Sequence, residues 1–397
     1  MNIDLSEDQL TAFEIVMTAL VPGAVVVLTG PAGSGKTTLV RHIIEEVENQ
    51  GRCVVLGAPT GKAALRLKEV TERPADTMHR LLYATVDRDS DELVFGSPSY
   101  PCAPGDVIVI DEASMVGKKL YEEFQKWVPQ QSCVLYVGDK EQLEPVRDTW
   151  GPDLDHPTAL LTQVHRQALE SPILAYATAV RMGKDAEWAE MYDMQDPRLQ
   201  VYDVIEAARD WLLHQRRNSE DATLIAYTHK TRESMNAEMR RVLGLDDAVI
   251  SVGDRLVIKS NNRDNGLRNG ELVTVESIED YDAEEQLVEL TFEDMSCTVI
   301  VKLDLVDTRN GYWDWSNHVW KEAKSGKGDW NLARNSVHVH YGQCLTVHSS
   351  QGSQWDNVGF IMDASYWGLK RRDRDQARRM LYTAATRAAE NLVLVTT

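Results

Sequence analysis

The sequence predicts an α/β fold built on parallel sheets covered on both faces, and three observations predict it. Apolar runs at residues 25–28, 54–56, 107–110 and 134–137 alternate with helical stretches through the first 155 residues, as strands buried on both faces do. The first run feeds Gly30-Pro31-Ala32-Gly33-Ser34-Gly35-Lys36-Thr37, a full match to G-x-x-x-x-G-K-[ST], with an apolar-periodic helix over 37–47 behind it. The same rhythm returns late in the chain, with strands expected at 224–227, 358–362 and 392–395.

Each element then has a reason. The glycine loop aims backbone N–H groups and a helix N-terminus at phosphate; Lys36 suits the β- and γ-phosphates and the Thr37 hydroxyl suits Mg²⁺. Strand and helix flanks argue against a chance glycine loop. The run 107–110 ends in Asp111-Glu112, two carboxylates at the carboxyl end of a buried strand, where open α/β sheets present catalytic groups. Asp111 suits a Mg²⁺ site and Glu112 a base that orients water. The next strand ends in Gly138-Asp139-Lys140-Glu141-Gln142, which puts a neutral amide, Gln142, on the same edge. Arg166 and Arg387 lie beyond the first 155 residues and suit arginine fingers, which spread transition-state charge; a surface ion pair is the plainer role for either.

Two stretches break the rhythm. Residues 83–104, with Asp87, Asp89 and Ser90 as turn material, then Leu93-Val94-Phe95 and three prolines, read as a protruding hairpin. Residues 247–331 read as a small β-barrel-like insertion, with short β-like runs at 272–275, 287–292 and 297–303.

Composition narrows the function. A length of 397 residues implies about two to four modules of roughly 100–200 residues each. The net charge of −20 argues against a basic coat for nucleic acid, so any such site must be a local channel. Five cysteines, scattered and without C-x-x-C spacing, fit neither a disulfide framework nor a zinc site. The amino terminus is acidic and nowhere do 18 apolar residues run together, so the expectation is a soluble, cytoplasmic protein with no membrane partner.

The ordered set of Gln9, the glycine loop, Ala58-Pro59-Thr60-Gly61-Lys62-Ala63-Ala64, Asp111-Glu112, residues 138–146, Arg166, Thr346-Val347-His348-Ser349-Ser350-Gln351-Gly352 and Tyr382-Thr383-Ala384-Ala385-Thr386-Arg387 resembles superfamily 1 helicases. Within them it is most similar to the RecD-like, 5′ to 3′ branch (superfamily 1B) and its Dda-type members from tailed bacteriophages. The resemblance implies two RecA-like parallel-sheet domains: 1A at 1–82 and 104–155, with a hairpin (pin) subdomain 1B at 83–103, and 2A at 156–246 and 332–397, with an SH3-like subdomain 2B at 247–331. It implies ATP and Mg²⁺ as cofactors. Gln9 would read the adenine edge; Gly33, Ser34, Gly35, Lys36, Thr37 and Thr38 would hold the phosphates, with Thr37 and Asp111 on the metal. Glu112 would be the base, and Gln142, Arg166 and Arg387 the γ-phosphate sensors. The Gln351-Gly352 pair would link nucleotide to DNA. Ser349 stands where many relatives have lysine.

For DNA, the resemblance points to Thr60, Lys62, Thr77, His79, Thr346 and His348 along the sugar-phosphate backbone, each equally suited to capping a helix or turn, and to Phe95 as the strand-separating pin. Trp313, Trp315, Trp320 and Trp330 read as small-domain core. The run of Lys370, Arg371, Arg372, Arg374, Arg378 and Arg379 reads as a solvated helix face. The implied activity is ATP-driven 5′ to 3′ translocation and unwinding in replication, recombination or repair; the alternative is a DNA-stimulated ATPase that displaces proteins without separating strands. The implied partners are single-stranded and fork DNA and a single-strand-binding protein or replisome component, with the chain itself a monomer.

Overall fold

Strand β1 (Val25–Thr29) buries all but its first residue, which is possible only inside a sheet covered on both faces. The structure is a computed structural model that describes residues 5–82, 85–86, 93–94, 105–128, 131–145, 148–164, 171–184, 196–217, 221–245, 249–262, 265–295, 297–308 and 311–397. Its contacts divide the chain into two compact units, Met1–Val201 with Ser350–Val358 and Tyr366–Leu394, and Tyr202–Ser349 with Gly359–Ser365 and Val395–Thr397.

In the first unit, β1 is followed by β2 (Val54–Ala58), β3 (Ala75–Thr77), the short strands β4 (Thr85–Val86) and β5 (Leu93–Val94), then β6 (Val107–Ile110), β7 (Cys133–Gly138), β8 (Ala159–Leu160) and the start of β9 (Leu199–Tyr202). Six of them form a sheet of order β3-β2-β6-β7-β1-β8, parallel throughout. The expected runs at 25–28, 54–56, 107–110 and 134–137 are its four central strands, and the sheet continues past residue 155 into β8. Helices α1 (Glu7–Ala19), α2 (Lys36–Asn49), α3 (Gly61–Thr71), α4 (Met78–Leu82), α5 (Lys118–Trp127) and α6 (Pro172–Arg181) accompany it. Leu39, Ile43, Ile44 and Val47 of α2 are fully buried with Leu28, Val109 and Leu135 of the sheet. Strands β4 and β5 pair antiparallel, Thr85 with Val94 and Val86 with Leu93; the rest of the stretch expected as a hairpin, Phe95 included, lies outside the described residues.

The second unit contains α7 (Ile205–Arg217), β10 (Ala222–Ala226), α8 (His229–Val242), β11 (Arg255–Ile258), β12 (Leu272–Asp282), β13 (Leu287–Phe292), β14 (Thr298–Lys302), α9 (Tyr312–Lys324), α10 (Trp330–Asn335), β15 (Val339–Tyr341), β16 (Cys344–Thr346) and most of α11 (Val347–Ser350). Strands β10 and β16 are parallel neighbours. Between them in sequence lies an antiparallel sheet of order β14-β13-β12-β11-β15; its strand β13 alternates half-buried and buried positions, and Val288, Leu290 and Phe292 enter a core with Val273, Val275, Val299 and Val301. The three β-like runs expected here are strands, but the tryptophan-rich stretch is helical. Trp315 and Trp320 pack against Val319, Ala323 and Ala333, whereas Trp313 and Trp330 are 57% and 45% exposed, so the core reading holds for only two of the four. After α11 come β17 (Trp355–Met362), α12 (Ala364–Arg372), α13 (Arg374–Ala385) and β18 (Ala388–Thr396).

A buried charged cluster ties α8 to this unit's antiparallel sheet. Arg232, only 4% exposed, donates to Asp307 at 3.0 Å and to His340 Nδ1 at 3.1 Å. Since Nδ1 accepts, the His340 proton sits on Nε2, 3.1 Å from the Thr308 carbonyl, and the ring is neutral. Burial, then the Arg232, Lys259 and His338 charges, pushes the His340 pKa down to about 3. The unfolded chain therefore binds more protons than the folded one between about pH 3 and the ordinary histidine value near 6.5, and the contribution present above that value is lost as pH falls through the window. Asp307, raised by burial, tempers the slope. His340→Gln is expected to flatten the loss of Tm between pH 7 and 5, a difference of up to about 1.4 kcal/mol per pH unit; parallel Tm curves for wild type and variant would refute it.

Among the described residues Cys53, Cys133, Cys297 and Cys344 form no disulfide. No helix there is long and apolar enough to cross a membrane.

Candidate nucleotide site

The site begins at the carboxyl ends of β1, β6 and β7, neighbours in one parallel sheet. After β1 the chain turns through Gly33 and Gly35, at φ 77° and 75°, left-handed conformations that glycine adopts without strain. Helix α2 starts at once, with Gly35 as an N-cap that offers no side-chain acceptor, so its first N–H groups keep their capacity for an anion. The Lys36 ammonium donates to the carbonyls of Gly30 at 2.7 Å and Pro31 at 3.0 Å, folded over its own loop. Ser34, fully buried, donates to Pro31 O at 2.8 Å.

Beyond β6, Asp111 accepts the Glu112 N–H at 2.9 Å, and Glu112 sits at φ 54°, a left-handed conformation that costs a non-glycine residue of order 1–3 kcal/mol and gathers at working sites. Burial, then the Glu112 charge, pushes the Asp111 carboxyl up to about 6. Beyond β7, Gln142 is 6% exposed and its Oε1 has no hydrogen-bond partner. Buried side-chain amides are seldom left so. Arg387 follows α13; its Nε donates to Thr383 O at 3.1 Å, Nη1 to Ser353 O at 3.2 Å and Nη2 to Thr386 Oγ1 at 3.3 Å. Burial pulls its pKa down and the Glu112 carboxylate pushes it back.

These groups share one cavity of about 350 Å³, lined by Gly33, Lys36, Thr37, Asp111, Glu112, Gln142, Gly352 and Arg387. Gly352 (φ 73°) approaches so closely that a Cβ there would stand 3.1 Å from both Ala63 Cβ and Thr60 Oγ1. Of the other residues expected at the nucleotide, Ser34, Gly35, Thr38 and Gln351 are not among those that line the cavity; Gln351 Nε2 donates to Leu143 O at 3.4 Å. Gln9 is a buried capping residue in this structure. It forms a reciprocal box with Ser6 and donates to the carbonyls of Ser34 and Gly35. Arg166 lies outside the described residues.

The residues expected on DNA prove to be well occupied locally. Thr60 Oγ1 caps α3 through the Ala63 N–H, Thr77 Oγ1 accepts the Arg80 N–H, and Thr346 Oγ1 accepts the Ser349 N–H, which is the capping alternative in each case. Lys62 Nζ lies 5.4 Å from the centre of the Trp355 ring. His79 stands on α4 and His348 on α11, the latter held below the ordinary histidine pKa by burial.

Sequence reasoning missed two groups. Arg66 lines the cavity and donates to Gln354; it lies four residues after Lys62, one turn along α3, a spacing that pointed to it. Tyr382, in the segment that carries Arg387, is buried and bonds the glycine loop; nothing in its local sequence signals that.

A left-handed glycine loop ahead of an uncapped helix, with carboxylates and arginine around one cavity, defines a P-loop protein of the parallel α/β class. The AAA domain family matches residues 4–201 and the UvrD-like helicase C-terminal domain matches residues 341–395. The chain is 29% identical to the ATP-dependent RecD2 DNA helicase of Deinococcus radiodurans, covering 97% of this chain and 48% of that one. It is 28% identical to the ATP-dependent DNA helicase dda of Enterobacteria phage T4, covering 64% of this chain and 61% of that one. The chain thus spans about half to three-fifths of the length of these relatives. The fold matches the Pif1 helicase of Bacteroides, solved with ADP-AlF3 and single-stranded DNA, at a TM-score of 0.56 with 17% identity over 99% of this chain and 92% of that one. The chain is thus similar to helicases of the RecD-like and Dda-type branch, superfamily 1B.

Proposed function

We propose that this chain is an ATP-dependent DNA helicase that translocates 5′ to 3′ on single-stranded DNA. The observation that carries the reading is the cavity, which gathers Lys36, Glu112, Gln142 and Arg387 from positions up to 351 residues apart in sequence. The donor set fits a nucleoside triphosphate and its cation. Gln142 Oε1 is a buried acceptor in want of a donor, and Asp111 beside Glu112 is an anion pair that a cation relieves. Among the described residues no three His, Cys, Asp or Glu side chains cluster as a metal cage, as suits a Mg²⁺ that keeps phosphate and water ligands. Thr37 and Asp111 would hold it, and its charge would offset that of the phosphates.

In this reading Lys36 leaves the Gly30 and Pro31 carbonyls for the β- and γ-phosphates. Glu112 orients the attacking water and takes its proton, Gln142 registers the γ-phosphate through its side-chain amide, and Arg387, joined by Arg166, spreads the developing charge. Gln9 serves the adenine edge once released from its cap. Thr60, Lys62, Thr77 and His79 grip one stretch of the strand and Thr346 and His348 another, with Phe95 at the fork. The two grips alternate as nucleotide contacts shift the populations of two conformations. We retain the division into RecA-like domains 1A and 2A, with the β4–β5 hairpin as pin and residues 247–331 as an SH3-like subdomain. The proposed partners are single-stranded and fork DNA and a single-strand-binding protein or replisome component.

Two fluorescent duplexes, one with a 5′ and one with a 3′ single-stranded tail, test this with ATP and Mg²⁺. Opening of the 5′-tailed substrate alone is the expected result. Opening of the 3′-tailed one alone would reverse the polarity, and DNA-stimulated hydrolysis without opening would favour displacement of proteins from DNA.

A further inference from the structure

One face of α13 holds residues 139–143 at every position. The Tyr382 hydroxyl lies 2.6 Å from Asp139 Oδ2, and Arg379 Nη1 donates to the carbonyl of Gln142 at 3.3 Å and to that of Lys140. Arg378 pairs with Glu141 at 2.7 Å, and the Leu143 N–H donates to Thr383 Oγ1 at 3.1 Å. Positions 378, 379, 382 and 383 lie on one side of a helix. Arg378 and Arg379 therefore do not belong to a solvated face; Arg379 also lies 5.0 Å from the Trp150 ring centre.

Tyr382 does more than its neighbours. Its hydroxyl also accepts the Ala32 N–H, from the glycine loop, at 2.9 Å. With a single proton, the group gives to the carboxylate and receives from the amide. Tyr382 and Asp139 are 1% and 2% exposed, so water cannot replace either bond without opening the site. The loops after β1 and β7 are thereby pinned to each other through one oxygen atom.

We propose that Tyr382 is a positioning residue for hydrolysis: its hydroxyl sets where the Gln142 amide stands relative to the γ-phosphate held by the glycine loop. This rests on the reading of the cavity as an ATP site. Tyr382 itself is not among the residues that line the cavity. Movement of the glycine loop on phosphate binding reaches α13 through Ala32, and Arg387 stands two residues beyond the end of the same helix, so sensor loop and arginine share one support.

Tyr382→Phe in the full chain leaves a buried carboxylate oxygen and a buried amide each without a partner, and the expected result is a fall in kcat for ATP hydrolysis of about tenfold. Affinity for ADP, which lacks the γ-phosphate, should stay within about twofold. Asp139→Asn should lower kcat similarly, and the double variant should lose no more than the worse single one, because both act through one bond. Unchanged kcat in Tyr382→Phe, equal losses in kcat and ADP affinity, or additive losses in the double variant would each overturn the proposal. Should Tyr382→Phe fail to fold, Asp139→Asn carries the same kcat-against-ADP comparison. Lys36→Ala, assayed in parallel, separates the two levels. Normal hydrolysis by that variant would remove the ATP-site reading, whereas an inactive Lys36→Ala beside an unimpaired Tyr382→Phe would remove the Tyr382 assignment alone.

Discussion

Replacement of Glu112 by glutamine is expected to slow ATP hydrolysis by about 10²–10⁴-fold, the range that removal of a positioned general base produces. Glutamine keeps the shape of the side chain, and an exchange at this backbone conformation, φ 54°, adds no strain that glutamate does not already bear. Nucleotide binding should survive, and the loss of a negative charge beside Asp111 should let that carboxyl fall back from its raised value of about 6. The pair of measurements that decides the matter is single-turnover hydrolysis and equilibrium binding of a fluorescent ADP. A variant that binds and hydrolyses like wild type would dismiss Glu112 as the base.

Arg387→Ala should cost about 10³-fold or more in kcat, as loss of an arginine finger does. Its guanidinium is buried and bonds the carbonyls of Thr383 and Ser353, so part of the damage is structural and Tm must be read alongside. Arg387→Lys isolates the chemistry, because it retains the charge but not the planar fork. Both variants should hydrolyse far more slowly than wild type, with Arg387→Lys nearer to it in Tm. Recovery of kcat by lysine to within a few fold would mean that charge alone suffices.

The parts of the site that could be read in the sequence are those fixed by strand order. Lys36, Asp111-Glu112 and Gln142 each follow an apolar run, and parallel neighbours put their carboxyl ends together. Arg387 was reached through its motif. What could not be read depends on contacts distant in sequence. The Tyr382 hydroxyl meets Ala32 and Asp139 only after the fold brings positions 350 and 243 residues apart together. The arginines at 378 and 379 alternate with acidic residues in a pattern that a solvated helix shares, and only the docking of α13 turns them inward. Thr60, Thr77 and Thr346 had two suitable roles each, and the local bond, which needs no partner from outside, is the one formed here. In the antiparallel region the β-branched runs marked strands β12 to β14, but tryptophan suits strand and helix cores alike, so α9 and α10 went unseen.

The inward face of α13 also limits how this protein can change in length. An α-helix turns about 100° per residue, so one residue inserted between Arg379 and Tyr382 would swing Tyr382 and Thr383 away from residues 139–143 and shift Arg387 beyond the helix end, while leaving composition nearly untouched. Substitutions at outward positions such as Gln376 shift the surface; an insertion or deletion here shifts the register of everything downstream. The stretch from Arg378 to Arg387 should therefore keep its residue count even where its outward residues change type.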